Sequence, residues 1–351
     1  MSLVKNLVRK TLNLVGVKDV NYTVKHRLLR QSYAWSDFPQ GIQLDLDNSC
    51  NLFCCYCRPQ RDIRRGIKKS AQMSDEVLDW VLRDVARFGR GTVTYFADFL
   101  DGDGLNASLP EKRRHIKKMV PWVPLETYTN GSRPENAYLL CDKSLDRIGL
   151  TFSAVNHEQY KLVHGADRFD EVVKTVRYLC DHHLPNQILN INFVINKYNI
   201  GSIREWIDMV QVNFPGWVPL ISPLVVTGDD CESNKAIGSY STLDQELAIV
   251  KAGGEAFWNR GDIRGRQPCV LWHNDSITAA GDLLQCCRWD KMDWSYGKAQ
   301  DFIKNGWGFR DYHMMKVLNR LRNPFCDRCN LKCADWRKRQ DAIDVRGVVS
   351  V

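Results

Sequence analysis

No stretch of this 351-residue chain approaches the roughly 18 to 20 consecutive apolar residues that a membrane-spanning helix needs. Nor does a secretory h-region with a small-residue cleavage site follow Met1. Both absences lead us to expect a cytoplasmic protein. Charge of one sign is in no large excess: 49 basic against 41 acidic residues leave a formal charge of +8, which suits solvated basic faces. No segment interleaves aromatic and basic side chains as a stacking module for nucleic acid does, so nucleic acid is not an expected partner.

Cysteine, by contrast, is abundant. Thirteen residues with no export signal, and an odd number, do not read as a disulfide framework. Four fall within 50–57, three stand alone as Cys141, Cys180 and Cys231, and six lie between 269 and 333. Clusters of this kind read as metal sites in a reducing compartment, whereas the isolated thiols are expected to be small buried hydrophobes.

The chain falls into five segments. Residues 1–40 form a basic, helical N-terminal segment with Leu3, Val4, Leu7, Val8 and Leu12 at helix spacing, suited to packing on the domain or to peripheral contact with a membrane surface. From 41 to 235 strand and helix patterns alternate. The expected strands are 41–47, 92–98, 125–129, 147–154, 188–195 and 218–226; the expected helices are 74–88, 109–119, 134–142, 168–182 and 201–213. Ser74 and a Ser202–Glu205 capping box mark two helix starts. Such repetition predicts an α/β fold with a parallel sheet, open or a partial barrel, whose ligands gather at the carboxyl ends of the strands. A linker helix (236–265), a cysteine-bearing domain (266–335) whose core would be weak without its metal, and a tail (336–351) follow.

Cys50, Cys54 and Cys57 are spaced C-x3-C-x2-C just beyond the first expected strand. Three thiolates from one tight loop can hold three irons of a four-iron cube and leave the fourth open for chemistry. The competing reading is zinc with a distant fourth ligand. Cys55, beside a ligand, is read as a packed thiol.

The C-x3-C-x2-C loop, with Tyr56 as the aromatic before its last cysteine, resembles that of the radical S-adenosylmethionine (radical SAM) enzymes, and the resemblance runs through 41–333. It implies a partial (β/α)6 barrel and S-adenosylmethionine chelated to the open iron of a [4Fe-4S] cluster. An electron from the cluster would then yield a deoxyadenosyl radical that abstracts a substrate hydrogen. Asp101-Gly102-Asp103-Gly104 is similar to the family's glycine-rich segment, with Asp103 in place of glutamate and Gly104 in place of proline. Asp103 would accept from the methionyl ammonium. Thr129-Asn130-Gly131 resembles the family's Thr-Asn-Gly, which is also an ordinary turn. Ser153 resembles the ribose-contacting serine, Asn192 is placed to reach the cofactor, Asn199 serves equally as a helix cap, and Leu224 would meet adenine.

The later cysteines resemble the auxiliary-cluster module of the SPASM and twitch subfamilies. Cys269, Gly281 and Cys286 read C-x11-G-x4-C, and Cys326, Cys329 and Cys333 read C-x2-C-x3-C. These five ligand candidates, with Cys287 as a further one, imply one auxiliary [4Fe-4S] cluster rather than two; zinc is again the alternative. His273 is not assigned as a ligand.

Full ligation of such a cluster favours its use as an electron acceptor, and hence net oxidation of a small polar substrate such as a sugar or cyclitol alcohol. Forty residues before the first strand are short for a peptide-recognition domain, which favours the small substrate. The alternatives are a peptide-modifying maturase, by cross-linking or by epimerisation with Cys231 as hydrogen donor, and a non-catalytic electron-transfer protein. Flavodoxin or ferredoxin is the expected reducing partner.

Overall fold

Alternation of apolar and polar side chains decides the strands and the faces they present. In β5 (Ile188–Val194), Leu189, Ile191 and Phe193 enter the main apolar core, while Asn190, Asn192 and Val194 point to the other side of the sheet. The structure, a computed structural model, describes residues 38–224, 232–258, 274–284 and 295–319. The N-terminal segment before Phe38, Cys231 and the tail 336–351 lie outside the described residues, as do all the auxiliary ligand candidates.

Beside β5 lie β1 (Gly41–Leu44), β2 (Tyr95–Ala97), β3 (Leu125–Thr129), β4 (Arg147–Thr151) and β6 (Val218–Ser222). The six stand in sequence order, each parallel to the next. Crossovers carry α1 (Arg58–Arg64), α2 (Asp75–Phe88), α3 (Leu109–Met119), α4 (His157–His164), α5 (Phe169–His182) and α6 (Ile203–Asn213). After β6 come α7 (Glu232–Ile237) and α8 (Thr242–Lys251). This is the α/β architecture expected, a partial (β/α)6 barrel.

Local chemistry explains the departures. Residues 134–142 were expected as a helix, yet Pro134–Leu140 is a 3-10 turn. The Gln187 side-chain amide donates to the Leu140 and Asp142 carbonyls at 2.9 and 3.1 Å and so engages carbonyls that a continuing helix would use. Ser74 caps α2 by accepting from the Val77 N–H. The Ser202 box does not form, because the Ser202 hydroxyl accepts from Gln159 instead and a 3-10 turn precedes α6. A complete capping box stands at Ser241 and Asp244.

The chain then returns to its beginning. β7 (Asn274–Ile277) pairs in parallel with β1 and turns antiparallel into β8 (Leu283–Leu284), extending the sheet to eight strands. Two helices, α9 (Ala299–Lys304) and α10 (Phe309–Asn319), cover α2. The Trp80 ring lies edge-on to Phe302 and Phe309, with centroids 6.2 and 5.5 Å away, and its Nε1 donates to the Trp307 carbonyl at 2.8 Å. Beneath α10, Asp275 is wholly enclosed with His313 at 2.9 Å and Lys316 at 2.7 Å. These two partners hold its carboxyl down to about 2 although burial opposes them. The weak core expected for 265–335 is therefore corrected for 274–284 and 295–319. Ile277, Phe302 and Phe309 belong to the same apolar core as Ile42 and Val81.

Candidate active site

The cysteine loop leaves β1 at its carboxyl end and is held from three sides. From beneath, the last turn of α4 meets it backbone to backbone: Phe53 N–H donates to the His164 carbonyl at 3.1 Å, and Cys55 N–H to that of Val163 at 2.8 Å. Gly165 ends that helix at φ +79°, and a Cβ there would stand 2.7 Å from the Phe53 carbonyl oxygen. Only glycine allows the turn and the approach together. From the front, Gln60 of α1 donates to the Asn48 carbonyl at 2.8 Å and also to that of Asp101. From the side, Asn51 donates to Ser132 at 2.8 Å and accepts from Asn130 at 3.0 Å.

Each of the three candidate ligand sulfurs faces an N–H donor. Asn130 Nδ2 stands 3.5 Å from Cys50 Sγ, His164 Nδ1 stands 3.1 Å from Cys54 Sγ, and the Gln60 backbone N–H points at Cys57 Sγ. Burial raises all three thiols, helped by the Asp103 carboxylate at Cys50 and by neighbouring sulfurs at Cys54 and Cys57, the last to about 12. Arg133 near Cys50 and Lys68 near Cys57 only partly offset this, so the thiols stay protonated; iron would replace those protons. Among the described residues no three His, Cys, Asp or Glu side chains converge as around a single metal ion. Three thiols from one tight loop are a donor set that fits three irons of a four-iron cube.

The glycine-rich segment crosses in front of the loop. A Cβ at Gly102 would lie 1.8 Å from the Asp47 carbonyl oxygen, and one at Gly104 would lie 2.4 Å from Thr127 Oγ1, so close approach alone dictates both residues. Between them Asp103 is buried. Its Oδ1 accepts from Thr129 Oγ1 at 2.6 Å and from Asn130 N–H at 3.0 Å, while Oδ2 is enclosed with no hydrogen-bond partner. Such an oxygen is the acceptor an ammonium group needs. The resemblance thus finds Asp103, Asn130 and the Cys50 loop in one connected network.

Other expected residues are placed as follows. Asp101 pairs with Lys68, and its N–H faces Asp45 at 3.3 Å. Ser153 is fully buried where β4 ends, and its hydroxyl accepts from the Val194 N–H at 2.9 Å. Asn192 accepts from Ser222 at 2.8 Å. Asn199 makes no side-chain cap; its amide bridges the Ser153 and Val194 carbonyls at 2.9 and 3.0 Å. Leu224, Ala236 and Ile237 form a small apolar cluster against Cys55 and Tyr56. Cys141 and Cys180 are half-buried free thiols packed on the main core. Cys231, Cys269, Cys286, Cys287, Cys326, Cys329 and Cys333 lie outside the described residues, as does His273.

Two supporting residues escaped the sequence reading. Arg113, fully buried on α3, pairs with Asp98 and donates to the Gly104 carbonyl at 2.8 Å and to Thr127 at 3.0 Å, fixing the glycine-rich segment from behind. His164 is the other. Its only sequence signal was a place at the end of an amphipathic octad before a glycine.

Comparison with known proteins agrees with this geometry. A family model described as "Radical SAM superfamily" matches residues 47–210. Among curated proteins, a probable GTP 3',8-cyclase of Saccharolobus islandicus is 25% identical over 179 residues, 49% of this chain and 53% of that protein. One of the same description from Pyrococcus horikoshii is 26% identical over 195 residues, 53% of this chain and 55% of its own length. The match spans about half the length of these relatives. Among solved structures, Streptococcus suis SuiB bound to S-adenosylmethionine superposes with a TM-score of 0.61 at 14% identity, covering 93% of this chain and 81% of that one. SuiB bound to its precursor peptide SuiA gives a TM-score of 0.61 at 13% identity, covering 93% and 82%. The likeness over 93% of the chain extends past the barrel into the C-terminal region. Motif, barrel and family model coincide on one loop: residues 47–210, which carry the cysteine loop, are similar to the radical SAM superfamily.

Proposed function

We propose that this protein is a radical SAM enzyme acting on a peptide, with Cys50, Cys54 and Cys57 holding a [4Fe-4S] cluster whose open iron takes S-adenosylmethionine. The single observation behind the catalytic reading is the connected network at the end of β1 and β3. It sets three cysteines on one loop beside a buried carboxylate oxygen with no partner of its own. When bound there, the cluster and cofactor would supply one-electron chemistry for hydrogen abstraction. Asp103 Oδ2 accepts from the methionyl ammonium; Asn130 ties that carboxylate to the cysteine loop; Gly102 and Gly104 let the segment approach. Leu224 and Tyr56 offer an apolar surface for adenine, and Asn192 and Ser153 stand on the neighbouring strand ends.

The peptide is favoured over the small alcohol by the fold likeness to SuiB, crystallised bound to a precursor peptide. A small polar substrate stays as the second reading, supported by the hydrogen-bonding side chains Glu126, Tyr128, Asn190 and Asn192 on the sheet face away from the helices. In either case Cys269, Cys286, Cys326, Cys329 and Cys333 would hold an auxiliary [4Fe-4S] cluster that accepts an electron, Cys231 is the hydrogen donor to test in an epimerisation, and a flavodoxin- or ferredoxin-like protein is the reductant. Anaerobically reconstituted protein with S-adenosylmethionine and dithionite should release 5'-deoxyadenosine and methionine. Deuterium transferred into deoxyadenosine from a labelled peptide, and not from a labelled cyclitol, decides between the substrates. Absence of cleavage by fully loaded, reduced protein would sink the enzyme.

A further inference from the structure

The last residue of α4 carries an imidazole that the functional reading leaves unused. His164 is fully buried, and its ring is stacked on Tyr160 with centroids 4.3 Å apart. Both ring nitrogens have partners. The backbone N–H of Ser153 points at Nε2 from 3.3 Å, and Cys54 Sγ stands 3.1 Å from Nδ1. A backbone N–H can only donate, so Nε2 is the acceptor and the proton of the neutral ring sits on Nδ1. The geometry therefore specifies the tautomer, and with it the direction of the second bond: from Nδ1–H to sulfur.

We infer that His164 is a positioning residue that donates a hydrogen bond to the Cys54 thiolate and thereby raises the reduction potential of the cluster bound by Cys50, Cys54 and Cys57. The inference rests on the radical SAM reading of that loop. Adding an electron to an iron–sulfur cluster increases negative charge on its sulfurs, and a fixed N–H dipole stabilises the reduced form more than the oxidised one. The donor here costs nothing to organise at the moment of reduction. Tyr160 holds the ring plane, Ser153 holds the tautomer, and the Phe53 and Cys55 backbone bonds hold the sulfur over Nδ1. Asn130 is a weaker counterpart on Cys50: its Nδ2 stands 3.5 Å from the sulfur and also donates to Asn51 Oδ1 at 3.0 Å.

The test uses reconstituted full-length protein. With 15N-labelled histidine, the reduced cluster of the wild type should show a hyperfine coupling to a histidine nitrogen in pulsed EPR. In mediated redox titrations, His164→Phe keeps a ring against Tyr160 but removes the donor. It should lower the reduced-to-oxidised ratio at fixed poise about tenfold, equal to about 59 mV for a one-electron couple. His164→Asn, whose amide can take the place of Nδ1–H, should restore most of the ratio. Equal midpoints for wild type and His164→Phe at equal iron and sulfide content would overturn the inference. So would a loaded wild type without histidine coupling, a result that needs no variant to fold. A wild-type chain that takes up no cluster instead overturns the radical SAM reading beneath it.

Discussion

Asp45 closes the end of β1 with Asp101 and Lys68 beside it and the Ala279 N–H 3.3 Å from one oxygen. Burial, and then the Asp101 carboxylate, push its carboxyl up from 3.8 to about 8. Between those values the folded protein keeps a proton that the unfolded chain releases. The stabilising contribution is therefore complete below about pH 3.8 and is lost as pH rises toward 8. Asp45→Asn supplies a permanently neutral isostere and should flatten the pH dependence of stability across that window. Urea midpoints at pH 5 and pH 8 measure it; a variant with the wild-type slope rejects it. Asp103 makes a different claim, on ligand affinity. Asp103→Asn should weaken S-adenosylmethionine binding at least about tenfold, since hydrogen bonds to charged groups contribute about 1.5–3 kcal/mol. Anaerobic calorimetry on protein of unchanged iron content checks the figure, and equal affinity would remove the ammonium from Asp103.

Helix α4 bears on the site through its end rather than its face. Gly165→Ala places a side chain at positive φ and against the Phe53 carbonyl, so it should cost about 1–3 kcal/mol and lower the iron bound per chain. Melting temperature and iron content measured together test this; full iron loading would show that the α4 clamp is dispensable. Elements of this chain were legible in sequence where their own periodicity specified them. β3 was read at its observed ends and α3 likewise, because alternation and helix spacing are local. The C-x3-C-x2-C spacing of the cysteine loop is likewise a local pattern. Elements whose order comes from distant partners were not legible. Arg58–Arg64 offers little apolar pattern, and Gln60 ties it down through carbonyls at 48 and 101. Likewise α9 and α10 find their apolar partner in Trp80, more than 200 residues away. His164 and Arg113 belong to this class: each meets its target only after strands or loops from other parts of the chain have come together.

At the scale of the whole molecule, one apolar core joins the barrel to the described part of the C-terminal region. Asp275, His313 and Lys316 lock α10 onto β7, the strand that pairs with β1, without any solvent contact. Lys316→Met would leave that carboxylate with its main compensating charge removed, at a cost of about 3–5 kcal/mol. Because the core is shared, the wild type should unfold in one transition by calorimetry and by tryptophan fluorescence, and the variant in the same single step at lower temperature. Two separated transitions would contradict the shared core. The parallel pairing of β1 with β7 also has a meaning in time. Gln43 lies beside Ser276, 233 residues later in the chain. At the roughly 5–20 residues per second of protein synthesis, that is a wait of roughly 10 to 50 seconds. Throughout it the strand that leads into Cys50, Cys54 and Cys57 has one unpaired edge on the nascent chain, and a bare edge invites other strands. The ribosome thus completes the pairing of the cysteine loop's strand long after that strand has emerged, and the cell must shield the edge on the same clock.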